Sequence, residues 1–471
     1  MSDFDDQLHV LLQRVVGKQC QLLSAKRLSG GASQETYAID TDNADGPRRF
    51  ALRRAAGGGD DINDHGGTGL AVEALLMRLA AEHGVPEPQV LHVLEPDDQL
   101  GSGFLMTWVD GETLGARIAR HDKFAAVRTK LAFQCGEILA RIHAIDIAAH
   151  KLEQHLEVLT PESFVRQHWQ RYQALETPQP MIDYTARWLL EHLPKTSAMT
   201  LVHNDFRNGN LMVDPTAGVC AVLDWEVAHI GDPMRDLGWI CTPSWRFGVD
   251  EFEVGGFGHI DDLIAGYESV SGTRVNREAI HYWQVFGAFW WAVGCLFMAE
   301  HYRSGPDSSV ERPGIGRRSS ECQADCVNLL IPGPVAPLPT NPGTEDDNMP
   351  NTRELIESVR DFLREDVHAA TEGRLRFLAR VAANSLDIVL RERDHDDTLK
   401  RREAGRLETL LSSTGSVEDL RWSLVRGLRD EKFALDDERL TAHLRNTVIA
   451  QLSLDQPAYP ALTKALTDQH E

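Results

Sequence analysis

Residues 201–213 read LVHNDFRNGNLMV, where a histidine, an aspartate, an arginine and three asparagines interrupt residues otherwise fit for a protein core. The polar positions follow His-x-Asp-x-x-x-x-Asn, from His203 through Asp205 to Asn210. Polar side chains at this density between two apolar runs predict a loop held by short flanking strands. A second apolar run, AVL at 221–223, ends in Asp224 after the turn VDPTAGV. Two acid-bearing loops are therefore expected to converge from a strand pair at Leu211 to Val213 and Ala221 to Leu223.

Phosphoryl transfer needs a group that orients a hydroxyl and takes its proton, oxygen ligands for a metal beside the phosphates, and a cation on the phosphates. Asp205 can orient the hydroxyl. Asn210 offers an amide oxygen to magnesium and Asp224 a carboxylate from the neighbouring hairpin. His203 is expected to tie the loop together from inside. Any one of the four would pass as an Asx-capped turn; the four in this order argue for chemistry.

These residues resemble the aminoglycoside phosphotransferase and choline kinase branch of the protein-kinase-like fold, with HNDFRNGN as catalytic loop and LDWEVAHIGDPMRDL as metal loop and the segment behind it. The likeness runs over about residues 5 to 330. It implies an α+β protein in two lobes, a small β-rich one and a mainly helical one. It also implies ATP and Mg2+, with Asp205 as catalytic aspartate and Asn210 and Asp224 as metal ligands. Arg207 stands where protein kinases carry a lysine on the transferred phosphate; a salt bridge is the other reading. Asp232 and Asp236 are expected to brace the loop and cap a helix.

Upstream, the predicted order is strand, turn, strand, strand, helix, strand, strand. FALR at 50–53 alternates as a strand, so Ala51 would face adenine and Arg53 would replace the phosphate-binding lysine, with Arg54 on the other face. Arginine keeps the charge but is not a neutral replacement. Glu73, on the helix expected from about Leu70 to His83, is its ion-pair partner. Gly30, Gly31 and Ser33 form a small-residue turn suited to phosphates. Thr107 to Val109, in FLMTWVDGETL, would be the hinge beside adenine.

The chain has 471 residues and a formal net charge of −23, with 42% hydrophobic and 25% charged residues. That acidity argues against nucleic acid and anionic membranes as partners. Seven scattered cysteines suggest a reducing cytoplasm, and Cys322 and Cys326 are expected to be packed thiols. The most apolar stretch, FGAFWWAVGCLFMA, is about 14 residues long and too short for a bilayer. Six prolines between 331 and 350 mark a linker. The expected domains are thus 1–110, 111–330, the linker at 331–350, and an all-helical 351–471 of about five helices.

Which hydroxyl is phosphorylated must be argued from the acceptor pocket. Trp283, Phe286, Trp290 and Trp291 read as helical core, whereas SWRFG and VGGFG read as recognition loops, making Trp245, Arg246, Gly256 and Phe257 candidate substrate contacts. With IGRRSSE at 315–321 these phrases resemble the kinases linked to acyl-CoA dehydrogenases. That implies 4-hydroxyacyl-CoA as acceptor, with Arg246, Arg317 and Arg318 toward the CoA head. The C-terminal helices resemble a small domain of unknown function encoded beside such kinases and are expected to dock on the kinase domain. An aminoglycoside or other amino-sugar kinase is the alternative, and an inactive nucleotide-binding scaffold the alternative of another class.

Overall fold

The computed structural model describes residues 3–28, 34–59, 68–195, 198–305, 309–338 and 350–467. Strands β1 (Gln21–Arg27), β2 (Gln34–Asn43), β3 (Gly46–Ala55), β4 (Val90–Val93) and β5 (Gly103–Thr107) form an antiparallel sheet of order β1-β2-β3-β5-β4. Helix Leu70–Glu82 lies between β3 and β4 in sequence, as predicted. Period-two alternation gives this sheet two apolar faces. Ala51, Ala55, Phe104 and Met106 pack with Leu70, Ala74 and Met77 of that helix. Phe50, Leu52 and Leu105 pack with Leu8, Leu11 and Leu12 of helix Asp3–Val15.

The chain divides into two compact units, residues 1–161 with 195–283, and 162–194 with 284–471. In the first, β6 (Thr200–Val202) pairs with β9 (His229–Gly231) and β7 (Leu211–Asp214) with β8 (Gly218–Val222), so that both polar loops hang from short antiparallel strands. Helices Ala125–His143 and Ile260–Ser271 approach closely behind them. A Cβ on Gly136 would lie 2.1 Å from the Leu263 carbonyl oxygen and one on Gly266 2.0 Å from that of Phe133. Only glycine permits that approach.

The second unit is helical, and its division differs from the one expected at the proline-rich segment. Helices Pro180–Glu191 and Ser319–Leu330 present Met181, Tyr184, Cys326 and Val327 to a core shared with Leu407, Leu424, Leu440 and Leu452. Buried Asp183 accepts from Arg429 at 2.7 Å. Apolar burial, not sequence position, sets this grouping. Helix Gly373–Leu411 runs 39 residues through the charged run RERDHDDTLKRRE; pairs such as Asp396 and Lys400, 2.6 Å apart one turn on, suit a solvated helix. Helix Arg277–Ser304 is the one described helix long and apolar enough to cross a membrane, longer than the 14-residue apolar stretch suggested. Within its most apolar window 61% is buried in the protein, as in a core helix.

Candidate active site

Loop 203–210 is fastened before it is functional. Asn204 adopts φ +68, a left-handed conformation that asparagine tolerates better than most residues. The turn directs the backbone N–H groups of His203 and Asn204 onto the carboxylate of Asp236, at 2.8 and 2.7 Å. The same carboxylate meets His143 Nε2 at 3.1 Å. Burial alone would raise the Asp236 carboxyl, but His143 and the backbone donors hold it below the ordinary value. Asp236 thus braces the loop. Asp232 accepts from the Met234 N–H at 2.9 Å at the head of helix Met234–Ile240 and from Trp283 Nε1 at 3.1 Å.

Asp205 projects from this platform with its side chain 14% exposed. Its Oδ1 accepts from Trp239 Nε1 at 2.8 Å and Arg207 Nε at 2.9 Å, and its Oδ2 from Asn210 Nδ2 at 2.6 Å. Asn210 Nδ2 also donates to the Asp205 carbonyl at 2.9 Å, so both its amide protons are held and its orientation is set. Arg207 lies over the Trp245 ring at 4.3 Å besides pairing with Asp205. His203 is fully buried, its Nδ1 accepting the Asp205 N–H at 3.3 Å and its ring tilted on Trp225 at 4.5 Å. Burial pushes its ring below the usual range and keeps it neutral. His203 is a positioning residue and corrects its grouping with the catalytic side chains.

From the sheet, Arg53 Nε donates to Glu73 at 3.2 Å and Nη2 to Asp224 at 2.6 Å, with Glu226 at 3.8 Å. Arg54 points to the other face, where it pairs with Glu35 at 3.0 Å and lies over Phe4 at 4.4 Å. Burial pushes the Glu73 carboxyl up to about 7, against the pull of Arg53. Burial would lower Arg53, but Glu73, Asp224 and Glu226 hold it above its ordinary value. Three carboxylates around one guanidinium leave this corner anionic. Asp224, at φ +71 and 28% exposed, stands at its mouth. An amide oxygen from Asn210 and a carboxylate from Asp224 are hard donors of the kind magnesium takes along with substrate phosphates, so the residues present fit that ion.

The remaining predicted contacts divide. Ala51 is buried on the same face of β3 as Arg53. Of the expected hinge residues, Thr107 donates its N–H to the Gln89 carbonyl and its hydroxyl accepts the Gln89 N–H, both at 2.9 Å. Gly30, Gly31 and Ser33 lie outside the described residues. The expected recognition loops are largely interior. Phe257 is 3% exposed in the main core, and Trp245 packs edge-on to Trp239 at 5.0 Å. Gly256, at φ +70, serves the turn, since a Cβ there would lie 2.2 Å from the Arg246 carbonyl oxygen. Arg246 donates to the Cys241 carbonyl at 3.0 Å. Arg317 pairs with Asp455 at 2.7 Å and Arg318 with Glu321 at 3.1 Å. All three expected CoA-head cations are thus engaged within the chain.

Sequence reading missed Trp239 and Asn208. Trp239 follows Asp236 by three residues, so a helix there would have placed both on one face. Asn208 Nδ2 donates to the Gly255 carbonyl at 2.6 Å and more weakly to that of Trp245 at 3.3 Å, tying the catalytic loop to the loop behind it. Asn208→Ala is expected to cost about 1–3 kcal/mol in urea unfolding, because two buried carbonyls lose their donor, and to raise KM for the acceptor more than KM for ATP. Equal shifts in the two constants would count against this linkage.

Residues 24–272 match the family model described as "Phosphotransferase enzyme family", and residues 369–459 match a domain of unknown function, DUF6285. Mouse acyl-CoA dehydrogenase family member 10 is 32% identical over 221 residues, 45% of this chain and 19% of that protein. Chicken acyl-CoA dehydrogenase family member 11 is 28% identical over 224 residues, 46% of this chain and 27% of that protein. The chain thus spans about a fifth to a quarter of these relatives' own lengths. The crystal structure of a candidate aminoglycoside phosphotransferase from Ralstonia eutropha superposes with a TM-score of 0.55 at 22% identity, covering 69% of this chain and 97% of that one, which speaks to the fold alone. With a family model matching more than half its length, the chain belongs to the phosphotransferase enzyme family.

Proposed function

We propose that the protein is an ATP- and magnesium-dependent kinase whose acceptor is the hydroxyl of a 4-hydroxyacyl-CoA. The observation that supports the chemistry is a pair of linked contacts: Asn210 meets Asp205 at 2.6 Å, Arg53 meets Asp224 at 2.6 Å, and the Leu223 N–H beside Asp224 donates to the Asn210 carbonyl at 2.8 Å. Asp205 faces the acceptor hydroxyl, aligns it and takes its proton as the phosphoryl group transfers. Arg53, held by Glu73, presents its guanidinium to the phosphates. Asn210 and Asp224 hold magnesium, which when bound neutralises charge developing on the phosphate oxygens.

The acceptor rests on sequence likeness to the acyl-CoA dehydrogenase family members, in which the matched part is a fraction of a longer chain. Since Arg246, Arg317 and Arg318 are internally engaged, recognition of the CoA head falls to other residues. ADP release should be followed with 4-hydroxyacyl-CoAs, aminoglycosides and short hydroxy acids, against Asp205→Ala. Turnover confined to the CoA thioesters is expected. Turnover confined to aminoglycosides would sink the acceptor, and ATP binding without turnover on any of them would favour the scaffold reading.

A further inference from the structure

The second compact unit holds a cavity of about 220 Å³ that the phosphotransfer site does not use, lined entirely by its own residues. Met181 and Val448 supply apolar wall; Arg317, Ser320, Arg421 and His443 supply polar wall. His443, on helix Glu438–Asp455, is 2% exposed, and neither ring nitrogen has a hydrogen-bond partner. Leaving a buried polar group unmade is costly, so such a group asks for an occupant.

The occupant's chemistry follows from which charges are already matched. Arg421 grips Glu403 through two bonds of 2.7 and 2.6 Å. Arg317 is held by Asp455 at 2.7 Å and by Glu392. The serine hydroxyls are spent as well, Ser319 on the Ala292 carbonyl at 2.9 Å and Ser320 on that of Arg317 at 3.0 Å. Burial, with Arg406 and Arg421 nearby, pulls the His443 ring down to about 3, so it stays neutral. A neutral imidazole carries one donor and one acceptor. The wall therefore offers hydrogen bonding without surplus charge, beside an apolar surface.

We propose that this cavity binds a small uncharged molecule with an apolar body and an amide or hydroxyl head, the head both giving and taking a hydrogen bond at His443. The site is independent of the acceptor assigned to the kinase.

The protein, with all 471 residues, should be titrated calorimetrically with hexanamide, 1-hexanol, hexanoate and hexylammonium, which share one apolar body, and soaked crystals examined at His443. The neutral probes are expected to bind best and to contact the imidazole. His443→Leu should weaken them by about tenfold or more, and His443→Gln, which keeps a donor and an acceptor, should restore most of that loss. Tighter binding of hexanoate or hexylammonium would overturn the proposal by showing that charge is recognised. Ordered water alone at His443, with no probe bound, would overturn it equally. If His443→Leu does not fold, the ranking of the four probes on the parent protein and the His443→Gln comparison decide.

Discussion

Replacing Asp205 by asparagine is expected to lower kcat by on the order of 10²- to 10⁴-fold with ATP affinity close to the parent's. That span corresponds to about 3–5 kcal/mol of transition-state stabilisation. Asparagine keeps the shape and can still accept from Arg207 and Trp239, which now meet Oδ1 at 2.9 and 2.8 Å. It removes the negative charge and sets a second amide against Asn210, whose Nδ2 now lies 2.6 Å from Oδ2. The loss should therefore appear in kcat with acceptor and ATP both saturating. Trp239→Phe makes the control, because it deletes one donor and leaves the charge; a loss of about tenfold is expected there. An Asp205→Asn enzyme as active as the parent would mean that the hydroxyl is oriented elsewhere.

Much of this corner is legible in the sequence because local rules govern it. Alternation along β3 is enough to send Arg53 and Arg54 to opposite faces, and Arg54 indeed meets Glu35 while Arg53 meets Glu73. The two loops holding Asp205, Asn210 and Asp224 are marked by the short apolar runs that flank them. What escapes reading depends on partners far along the chain. Arg317 and Asp455 stand 138 residues apart, so nothing near Arg317 betrays that its charge is matched. Glycine misleads in a different way. Gly255 and Gly256 suggest an exposed loop, yet their positive φ values make the turn from which Phe257 enters the core. The long helix Gly373–Leu411 escapes because its middle is polar all round and shows no apolar stripe.

Arg53→Met should destabilise the protein by about 3–5 kcal/mol near pH 10, because it strips a buried ion pair of its cation and leaves Glu73 uncompensated. Arg53 is 18% exposed and Glu73 2%, so solvent screens the pair little. Glu73 also dictates how that loss varies with pH. Its folded-state value is raised from the usual 4.5 to about 7, so the folded protein retains a proton that the unfolded chain releases. The stability this contributes is complete below about pH 4.5 and is lost as pH rises through 7. Without Arg53 the folded value moves higher, and the decline continues above pH 7 at about 1.4 kcal/mol per unit. Tm of the variant should therefore approach the parent's in acid and diverge from it in alkali, and adding Glu73→Gln should flatten the difference. Parallel Tm curves would show that the pair does not carry this charge. KM for ATP should rise about tenfold or more, since a charge-assisted contact to phosphate is gone. Arg53→Lys tests the fork itself: an ammonium restores the charge but not the separate Nε bond to Glu73 and Nη2 bond to Asp224. It should recover ATP affinity more fully than stability.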